Sequence, residues 1–505
     1  MPEGSTRKKR REHQPGWGGL RADLAKGITH LFRRTSTRHK RFVLAVFAVG
    51  TVLRILRLNQ PVTYDEAVTF TEYAGRSFGF LLGDYSFAGN HILYSALARL
   101  ALLVFGPHTW SLRLPALIAG VLVMPLGYAF VRTVFNRHIA VIFLCLVAAG
   151  GSLVEYSAMA RGYSLVWLCT CLALIAGHYF VKSENMWAAT GMAASCALGM
   201  WAAPAMAYPA LMVYAWVLFM LLARYQSTIR RRVLKLAGAF VMALALTFLC
   251  YLPVIMVHSL DLLLHHPSMV DNTWAAFSTT QQDRVFDIWA YFTATSSTVM
   301  LLVGAALVLF AASASAKYRY LLIALVLGAF PLALVLHMVA PPAAWTYALL
   351  VFHMGGAIGL FYLLKAVRDK LAPSFSKGQR TLAAALFVLL LFGWAGLHGK
   401  GDAVERFPEA QQAAAWIAEN TRPEDRVGVQ PPWDAPVRFY LACAKGDALR
   451  LGGPPVPGGR MFLLVVPAHG QSPKSVFRDA ELGNHVPDGL QEMGRWGRIE
   501  LFSAQ

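Results

Sequence analysis

The sequence predicts an all-α polytopic membrane protein with a small α/β domain at its carboxyl end. The chain has 505 residues, of which 56% are hydrophobic and 14% charged, and its mean hydropathy is +0.48. Apolar blocks of about 17–25 residues recur along it, the length that a helix needs to cross a bilayer. After residue 397 the composition becomes that of a soluble domain.

The net charge of +19 raises the question of a nucleic-acid partner. Residues 398–505 are nearly neutral, with 12 Lys/Arg against 13 Asp/Glu. The excess lies in the amino-terminal tail and in short loops between spans, as the positive-inside rule requires. The charge therefore predicts contact with anionic membrane lipids and no nucleic acid.

Residues 1–41 are polar and basic and predict a cytoplasmic tail, disordered or bound to the membrane surface. No short apolar stretch with a small-residue cleavage site indicates a signal peptide. The transmembrane domain is predicted to cover 42–397, with its first span from Phe42 to Leu58. Arg54 and Arg57 lie near the outer end of that span, where they either extend to the interface or bind a substrate phosphate.

A long outer loop follows, from about Asn59 to Trp110. It contains an amphipathic piece, Ala67–Tyr73, and an apolar stretch, His91–Phe105, which is interrupted by Arg99. That stretch is short for a span and suits a helix lying along the interface.

The charges of the later loops decide whether His91–Phe105 crosses. If it does not, the chain has about eleven spans, and the later inner loops hold fifteen Lys/Arg against three on the outer side. If it crosses, this bias inverts, against the positive-inside rule. The amino terminus is thus predicted inside and the carboxyl terminus outside. The predicted spans after the first are 111–131, 138–154, 162–180, 187–203, 205–223, 233–256, 291–312, 319–339, 343–364 and 381–397.

The outer carboxyl-terminal domain is predicted to cover 398–505. Pro408–Asn420 has helical periodicity, and Arg426–Val429 and Met461–Val466 are predicted strands. The Gly/Pro-rich stretch Gly452–Gly459 predicts a loop.

Asp65 and Glu66 are adjacent carboxylates at the start of the first outer loop. One interpretation is structural, with Asp65 as the N-cap of a short helix. The other is catalytic, because a carboxylate can take the proton from an acceptor hydroxyl or amine that attacks an anomeric carbon. A phosphate leaving group would need nearby cations more than an acid.

The outer segments carry the motifs Thr63-Tyr64-Asp65-Glu66-Ala67, Gly89-Asn90-His91-Ile92-Leu93-Tyr94, Phe105-Gly106, Trp110-Ser111-Leu112-Arg113-Leu114-Pro115 and Ala160-Arg161-Gly162-Tyr163. These motifs resemble the GT-C glycosyltransferases, in the branch of protein O-mannosyltransferases and the bacterial aminoarabinose transferase of lipid A. The resemblance covers roughly residues 42–260 in order and spacing, although Ile92 stands where that family often has Pro.

The resemblance implies that Asp65 is the catalytic base and Glu66 a neighbour that shapes it. It also implies a polyprenyl-phosphate sugar as donor, a lipid, glycan or protein as acceptor, and juxtamembrane helices in the first outer loop.

Five more residues are candidates for substrate binding. His91 is either structural or, beside Asn90, a contact to sugar or phosphate. Arg161 either pairs with Glu155 or binds the donor phosphate, for which a guanidinium is well suited. Tyr163 belongs to the same motif.

The sequence requires no cofactor, and a divalent metal is possible but not predicted. The outer loop His258–Ala290 contains His265 and His266 with several acids, but adjacent histidines do not share one helix face. A loop that orders over substrate is the favoured interpretation.

Together these observations predict a bacterial inner-membrane glycosyltransferase that acts on the outer face of the membrane. One alternative is a lipid or sugar transporter, which needs charges at mid-membrane and often a repeated half. Another is a non-catalytic scaffold, which leaves the clustering of Asp65, His91 and Arg161 on one side unexplained. The sugar and the acceptor stay open.

Overall fold

We describe the fold from a computed structural model of the chain. The residues that the structure describes are 16–33, 35–87, 89–223, 228–259, 273–295, 298–337, 339–371, 376, 378–379, 381–384, 387–388, 405–446, 450–454, 456–482 and 489–504.

Helices dominate the part of the chain before residue 372, as the apolar blocks predict. The longer helices in this part are Trp17–Arg33, Thr37–Ile55, Ile92–Phe105, Thr109–Val134, Arg137–Ala149, Tyr163–Ser183, Met186–Ala202, Ala207–Leu222, Ile229–His258, Trp274–Thr295, Thr298–Ala314, Ala316–Leu336 and Ala348–Leu371.

Every predicted span up to residue 364 overlaps one of these helices. Within the described residues, six helices are individually long and apolar enough to cross a membrane, or seven if one bent pair forms a single span. The last predicted span, 381–397, lies largely outside the described residues. The count of eleven therefore stays a prediction, while the polytopic all-α architecture is confirmed.

The amino-terminal tail contains a helix where the composition allowed disorder. Trp17–Arg33 packs on the ends of the transmembrane helices through buried Leu20 and through an edge-to-face contact between Trp17 and Trp187 at 5.7 Å. The Asn185 side-chain amide donates to the Gly16 carbonyl at 3.0 Å. Apolar residues at helical spacing explain why this part of the basic tail is ordered.

Small residues bring the transmembrane helices into close contact. A Cβ at Gly328 would lie 2.7 Å from the backbone nitrogen of Met212, and one at Gly120 would overlap the side chain of Ser157. Packing of this kind is typical of helices in a membrane, where lipid tails remove the hydrophobic drive for association.

The first outer loop folds into short helices, namely Tyr64–Val68, the π-helical turn Thr69–Ala74, Phe78–Gly83 and the 14-residue helix Ile92–Phe105. The last of these coincides with the predicted interfacial stretch. The predicted loop 258–290 is wrong in its second part, because Trp274–Thr295 is a helix. That segment contains no Gly or Pro to interrupt a helix. His265 and His266 lie outside the described residues.

The carboxyl-terminal domain is a four-stranded mixed sheet with helices, in the order β1-β2-β4-β3. β1 (Arg426–Val429) pairs in parallel with β2 (Met461–Val465). The antiparallel strands β3 (Gln491–Trp496) and β4 (Ile499–Ala504) complete it. The helix Pro408–Asn420 and the first two strands confirm the predictions, whereas β3 and β4 were not predicted. Two further helices are Asp434–Cys443 and Pro473–Asp479.

This domain lies directly on the first outer loop. The Phe407 N–H donates to the Val62 carbonyl at 3.1 Å, and Thr63 and Arg406 form an isolated antiparallel bridge. The Val62 N–H donates to the hydroxyl of Tyr440 at 3.0 Å. One hydrophobic core includes residues of the loop and of the domain, so the two form a continuous structure.

Candidate active site

A capping box places Asp65 and Glu66 in the first turn of the helix Tyr64–Val68. Thr63 is the N-cap, and its side chain accepts from the Glu66 N–H at 3.4 Å while the Glu66 carboxylate accepts from the Thr63 N–H at 3.0 Å. This Thr-x-x-Glu pattern satisfies the unpaired donors of a helix start. The interpretation of Asp65 as the N-cap is therefore wrong, since Thr63 occupies that position.

Glu66 is fully buried and is surrounded by donors. The Arg113 guanidinium binds it through two bonds of 2.7 Å, and the Ala160 N–H donates to the same carboxylate at 2.6 Å. Burial alone would raise the pKa of Glu66, but Arg113 and the N–H groups of Thr63 and Ala160 outweigh it and hold the pKa below its usual value. Glu66 is thus a charged anchor between outer segments.

Arg113 is the partner that the sequence reasoning did not assign, although its motif was recognised. Its side chain is fully buried, and it donates to the carbonyls of Leu58, Gln60 and Pro61 at 2.9, 2.7 and 3.2 Å. It therefore fixes the chain that leads from the first span to Asp65. A lone basic residue after a Trp-Ser-Leu motif carries no signal for such a role, which depends on the fold.

Asp65 points the other way, toward open space. Its side chain is 57% exposed, and one carboxylate oxygen lies 3.5 Å from a guanidinium nitrogen of Arg161. The two adjacent carboxylates thus have opposite environments, because consecutive residues at a helix start face different directions.

Arg161 lies in a segment that also anchors His91. Its Nη1 donates to the Gly89 carbonyl at 3.4 Å, while its buried Nε has no hydrogen-bond partner in the structure. Burial would lower the pKa of Arg161, but the Asp65 carboxylate and the Tyr163 hydroxyl raise it overall, so the guanidinium is charged. A charged guanidinium with loose contacts and one unsatisfied donor is suited to an anionic ligand.

His91 is held in one tautomer. The Gly162 N–H donates to its Nδ1 at 2.7 Å, so the proton of the neutral ring is on Nε2. Burial, followed by the charge of Arg161, lowers the pKa of His91 well below its usual value. The ring contacts Tyr163 edge to face at 5.2 Å. His91 and Tyr163 are thus brought to the Arg161 segment, as the motifs predict.

The Asn90 side chain is buried, and its amide is hydrogen-bonded to other residues of the chain. Its amide donates to the carbonyls of Leu81 and Asp84 at 3.1 and 2.9 Å, and its oxygen accepts from Ser95 at 3.0 Å. It ties the short helices of the first outer loop together, and its contact to substrate stays a prediction.

The two arginines of the first span differ in exposure. Arg54 is buried, and it donates to the carbonyls of Gly50, Val147 and Ala148 at 2.8–3.1 Å and to Ser157 at 3.1 Å. Its guanidinium thus joins the first span to the end of Arg137–Ala149 and is not turned toward Asp65. Arg57 is half-buried, and its carbonyl accepts a long bond from Arg113 at 3.5 Å.

Glu155 pairs with a residue of the carboxyl-terminal domain. Its Oε1 lies 3.3 Å from Nη2 of Arg406, and Nη1 of the same arginine donates to the Pro61 carbonyl at 3.0 Å. The predicted pair of Glu155 with Arg161 is not formed, because Arg161 faces Asp65. Since Arg406 follows the last predicted span, no local pattern identifies it as part of this region.

No group of three His, Cys, Asp or Glu side chains in the described ranges is arranged to hold a metal ion. The predicted loop histidines and their nearest acids, His265, His266, Asp261 and Asp271, fall between residues 260 and 272, outside those ranges.

The chain resembles known proteins in sequence and in fold. Residues 91–251 match the model of the family described as dolichyl-phosphate-mannose-protein mannosyltransferase; Asp65 lies before this range. ArnT from Cupriavidus metallidurans in the apo state has a TM-score of 0.57 at 12% identity, covering 92% of this chain and 98% of that one. The same protein bound to undecaprenyl phosphate has a TM-score of 0.58 at 14% identity, covering 91% and 97%. No curated protein matches the chain in sequence.

These findings first define the class: the chain has the fold of the ArnT structures, and its residues 91–251 match the mannosyltransferase family model, so it is similar to integral membrane glycosyltransferases of the GT-C type. Within that class, the family match and the ArnT structures confirm the predicted resemblance to the branch of O-mannosyltransferases and aminoarabinose transferase.

Proposed function

We propose that the protein transfers a sugar from a polyprenyl-phosphate donor to a lipid, glycan or protein acceptor, with Asp65 as general base. The acceptor hydroxyl or amine attacks the anomeric carbon and gives its proton to Asp65. The bond between that carbon and the phosphate oxygen breaks, and polyprenyl phosphate leaves with the electron pair. A single displacement of this kind inverts the anomeric configuration.

The observation that carries the proposal is the contrast between the two carboxylates. Asp65 is exposed and has a single long ion pair, whereas Glu66 is buried and accepts from Thr63, Arg113 and Ala160. A general base needs an accessible lone pair within reach of the acceptor proton. Asp65 meets this requirement, and Glu66 serves to hold the helix start that presents it.

The donor phosphate is proposed to bind Arg161. When a phosphate displaces Asp65 from this guanidinium, the carboxylate is released beside the reacting centre. The leaving group then needs no acid, because a fixed cation stabilises its charge. His91, neutral and with its proton on Nε2, is proposed to donate a hydrogen bond to a sugar or phosphate oxygen.

An apolar groove in the transmembrane domain suits the lipid tail of the donor. It is lined by residues on both sides of Gly150, by Met300–Leu307 and by Phe352 with His353. The groove leads to the short helix Gly151–Tyr156, which carries Glu155. The undecaprenyl phosphate in the matched ArnT structure is consistent with a donor of this class.

We infer that the amino terminus is cytoplasmic and that the carboxyl-terminal domain lies outside, in the inner membrane of a bacterium. Two observations support this orientation. The inner loops carry the excess of Lys/Arg, and the contact of Arg406 with Pro61 requires an even number of crossings between them. Eleven spans satisfy this parity.

The direct test is sugar transfer by the purified protein in nanodiscs. Wild type and Asp65→Asn each receive a panel of labelled polyprenyl-phosphate sugars as donors and membrane extract as the source of acceptor. We expect transfer to fall by roughly 10²–10⁴-fold, the usual contribution of a general base, with donor binding retained. Glu72→Gln is the matched control, since Glu72 is a surface carboxylate of the same loop, paired with Arg76.

Equal transfer by wild type and Asp65→Asn would exclude Asp65 as the base. Movement of intact donor across the bilayer without release of polyprenyl phosphate would support the transporter alternative.

A further inference from the structure

Arg406 occupies an unusual position between three parts of the chain. It belongs to the segment that enters the carboxyl-terminal domain, yet its guanidinium is largely buried, with 11% of the side chain exposed. It donates to the Pro61 carbonyl in the first outer loop and pairs with Glu155 beyond the third predicted span. Its backbone lies beside Thr63, in the antiparallel bridge.

Pro61 is held from two sides. Its carbonyl accepts from Arg113 at 3.2 Å and from Arg406 at 3.0 Å. Val62 is fixed at both of its backbone groups by the carboxyl-terminal domain, through Phe407 and Tyr440. The chain immediately before the capping box therefore has few remaining degrees of freedom.

The same residues link the Asp65 helix to the Arg161 segment. Glu155 is anchored by Arg406, and six residues later Arg161 faces Asp65. Arg406 thus contacts both of the segments whose separation sets the 3.5 Å distance between Asp65 and Arg161.

We propose that Arg406 is a positioning residue, through which the carboxyl-terminal domain fixes Asp65 relative to Arg161 for transfer. This inference rests on the proposed function and deepens it, because it makes the soluble domain a part of the catalytic unit. Such positioning matters for the rate, because a misplacement of about 1 Å at a reacting group can lower the rate about 10²-fold.

The test uses the full chain in nanodiscs with Arg406→Gln and Arg406→Lys. For Arg406→Gln we expect kcat to fall at least about 10-fold, while KM for donor and acceptor changes by less than about 2-fold, because the substrate contacts are proposed at Asp65 and Arg161. Arg406→Lys keeps the charge and should restore part of the rate. Arg495→Gln is the matched control, since Arg495 pairs with Glu500 on the far part of the same domain.

Two further measurements separate positioning from loss of fold. Amide hydrogen exchange should become faster in 60–66 in Arg406→Gln, while the sheet of the carboxyl-terminal domain keeps its protection. Glu155→Gln should lower kcat similarly, and the double variant should lose less than the product of the single effects, because both remove one interaction.

Unchanged kcat in Arg406→Gln would overturn the inference, as would a loss of rate that follows the loss of folded protein or a rise in KM alone. If wild type transfers no sugar from any donor, the proposed function fails, and the exchange data then decide whether Arg406 holds 60–66. Unchanged exchange in that segment overturns the inference as well.

Discussion

Substitution of the adjacent carboxylates should separate stability from catalysis. Glu66→Gln keeps the shape of the side chain but removes its charge, which leaves Arg113 buried at 0% exposure without its anion. Breaking one partner of a buried ion pair costs about 3–5 kcal/mol. The lost interactions also include the short bond from Ala160 and the capping contact with Thr63, so we expect a loss within that range.

Asp65→Asn should behave in the opposite way. The Asp65 side chain is more than half exposed and its ion pair is long at 3.5 Å. Surface substitutions of this kind change stability by about 0.5 kcal/mol or less. Transfer, however, should fall by orders of magnitude, because the amide cannot accept a proton at neutral pH.

Thermal unfolding of the two variants in one detergent measures the first effect, and sugar transfer at a temperature well below both midpoints measures the second. The pH dependence adds a check on Glu66. Since its folded pKa is lowered, its stabilising effect is present above the usual carboxyl pKa of about 4.3 and is lost as the pH falls through the folded value. Glu66→Gln should lack this component. Equal loss of stability in both variants would refute the assignment of separate roles.

Three other predictions follow from the same geometry. Arg161→Ala should raise the donor KM at least about 10-fold, with partial recovery in Arg161→Lys, because a point charge replaces a fork of donors; an unchanged donor KM would contradict the phosphate site. Because burial lowers the pKa of His91, its contribution to stability is present above about pH 6.5 and declines below it, as the unfolded state takes up the proton. His91→Gln should lack this decline in unfolding scans, and an identical pH profile would count against a buried neutral ring. Arg54→Gln should lose roughly 1–3 kcal/mol through unpaired carbonyls and leave the donor KM unchanged; a native midpoint with a raised KM would instead place Arg54 at the substrate.

The sequence is most informative where the signal is local. The helix Pro408–Asn420 and the strand Arg426–Val429 have the predicted bounds, since periodicity and turn residues define both. The hairpin of β3 and β4 could not be predicted from such a pattern. Gln491–Trp496 is mostly exposed and has little alternation of apolar and polar residues. The helix Trp274–Thr295 was also missed, since moderate polarity in an outer segment resembles that of a loop.

In the candidate site, too, local motifs were predictive and contacts between distant segments were not. A short motif and the parity of the spans indicated Asp65, His91 and Arg161 on one side, and the structure brings these three together. The partners of Glu66 and Glu155 were not predictable, because Arg113 and Arg406 are distant in sequence and meet them only through tertiary packing.

The arginines illustrate how a ligand site can be separated from structure in a chain with many cations. Arg54 donates to three carbonyls and the Ser157 hydroxyl at 2.8–3.1 Å. Arg113 donates to the Glu66 carboxylate and to carbonyls at 2.7–3.2 Å, apart from one longer bond of 3.5 Å to the Arg57 carbonyl. Arg161 has contacts of 3.4 and 3.5 Å and a buried Nε without a partner. A buried donor left unpaired costs about 1–3 kcal/mol, so a donor phosphate that reached it, as we propose, would recover this free energy on binding. The same event would remove the cation from Asp65 and free its carboxylate for the acceptor proton, so that donor binding would prepare the base for the acceptor that follows.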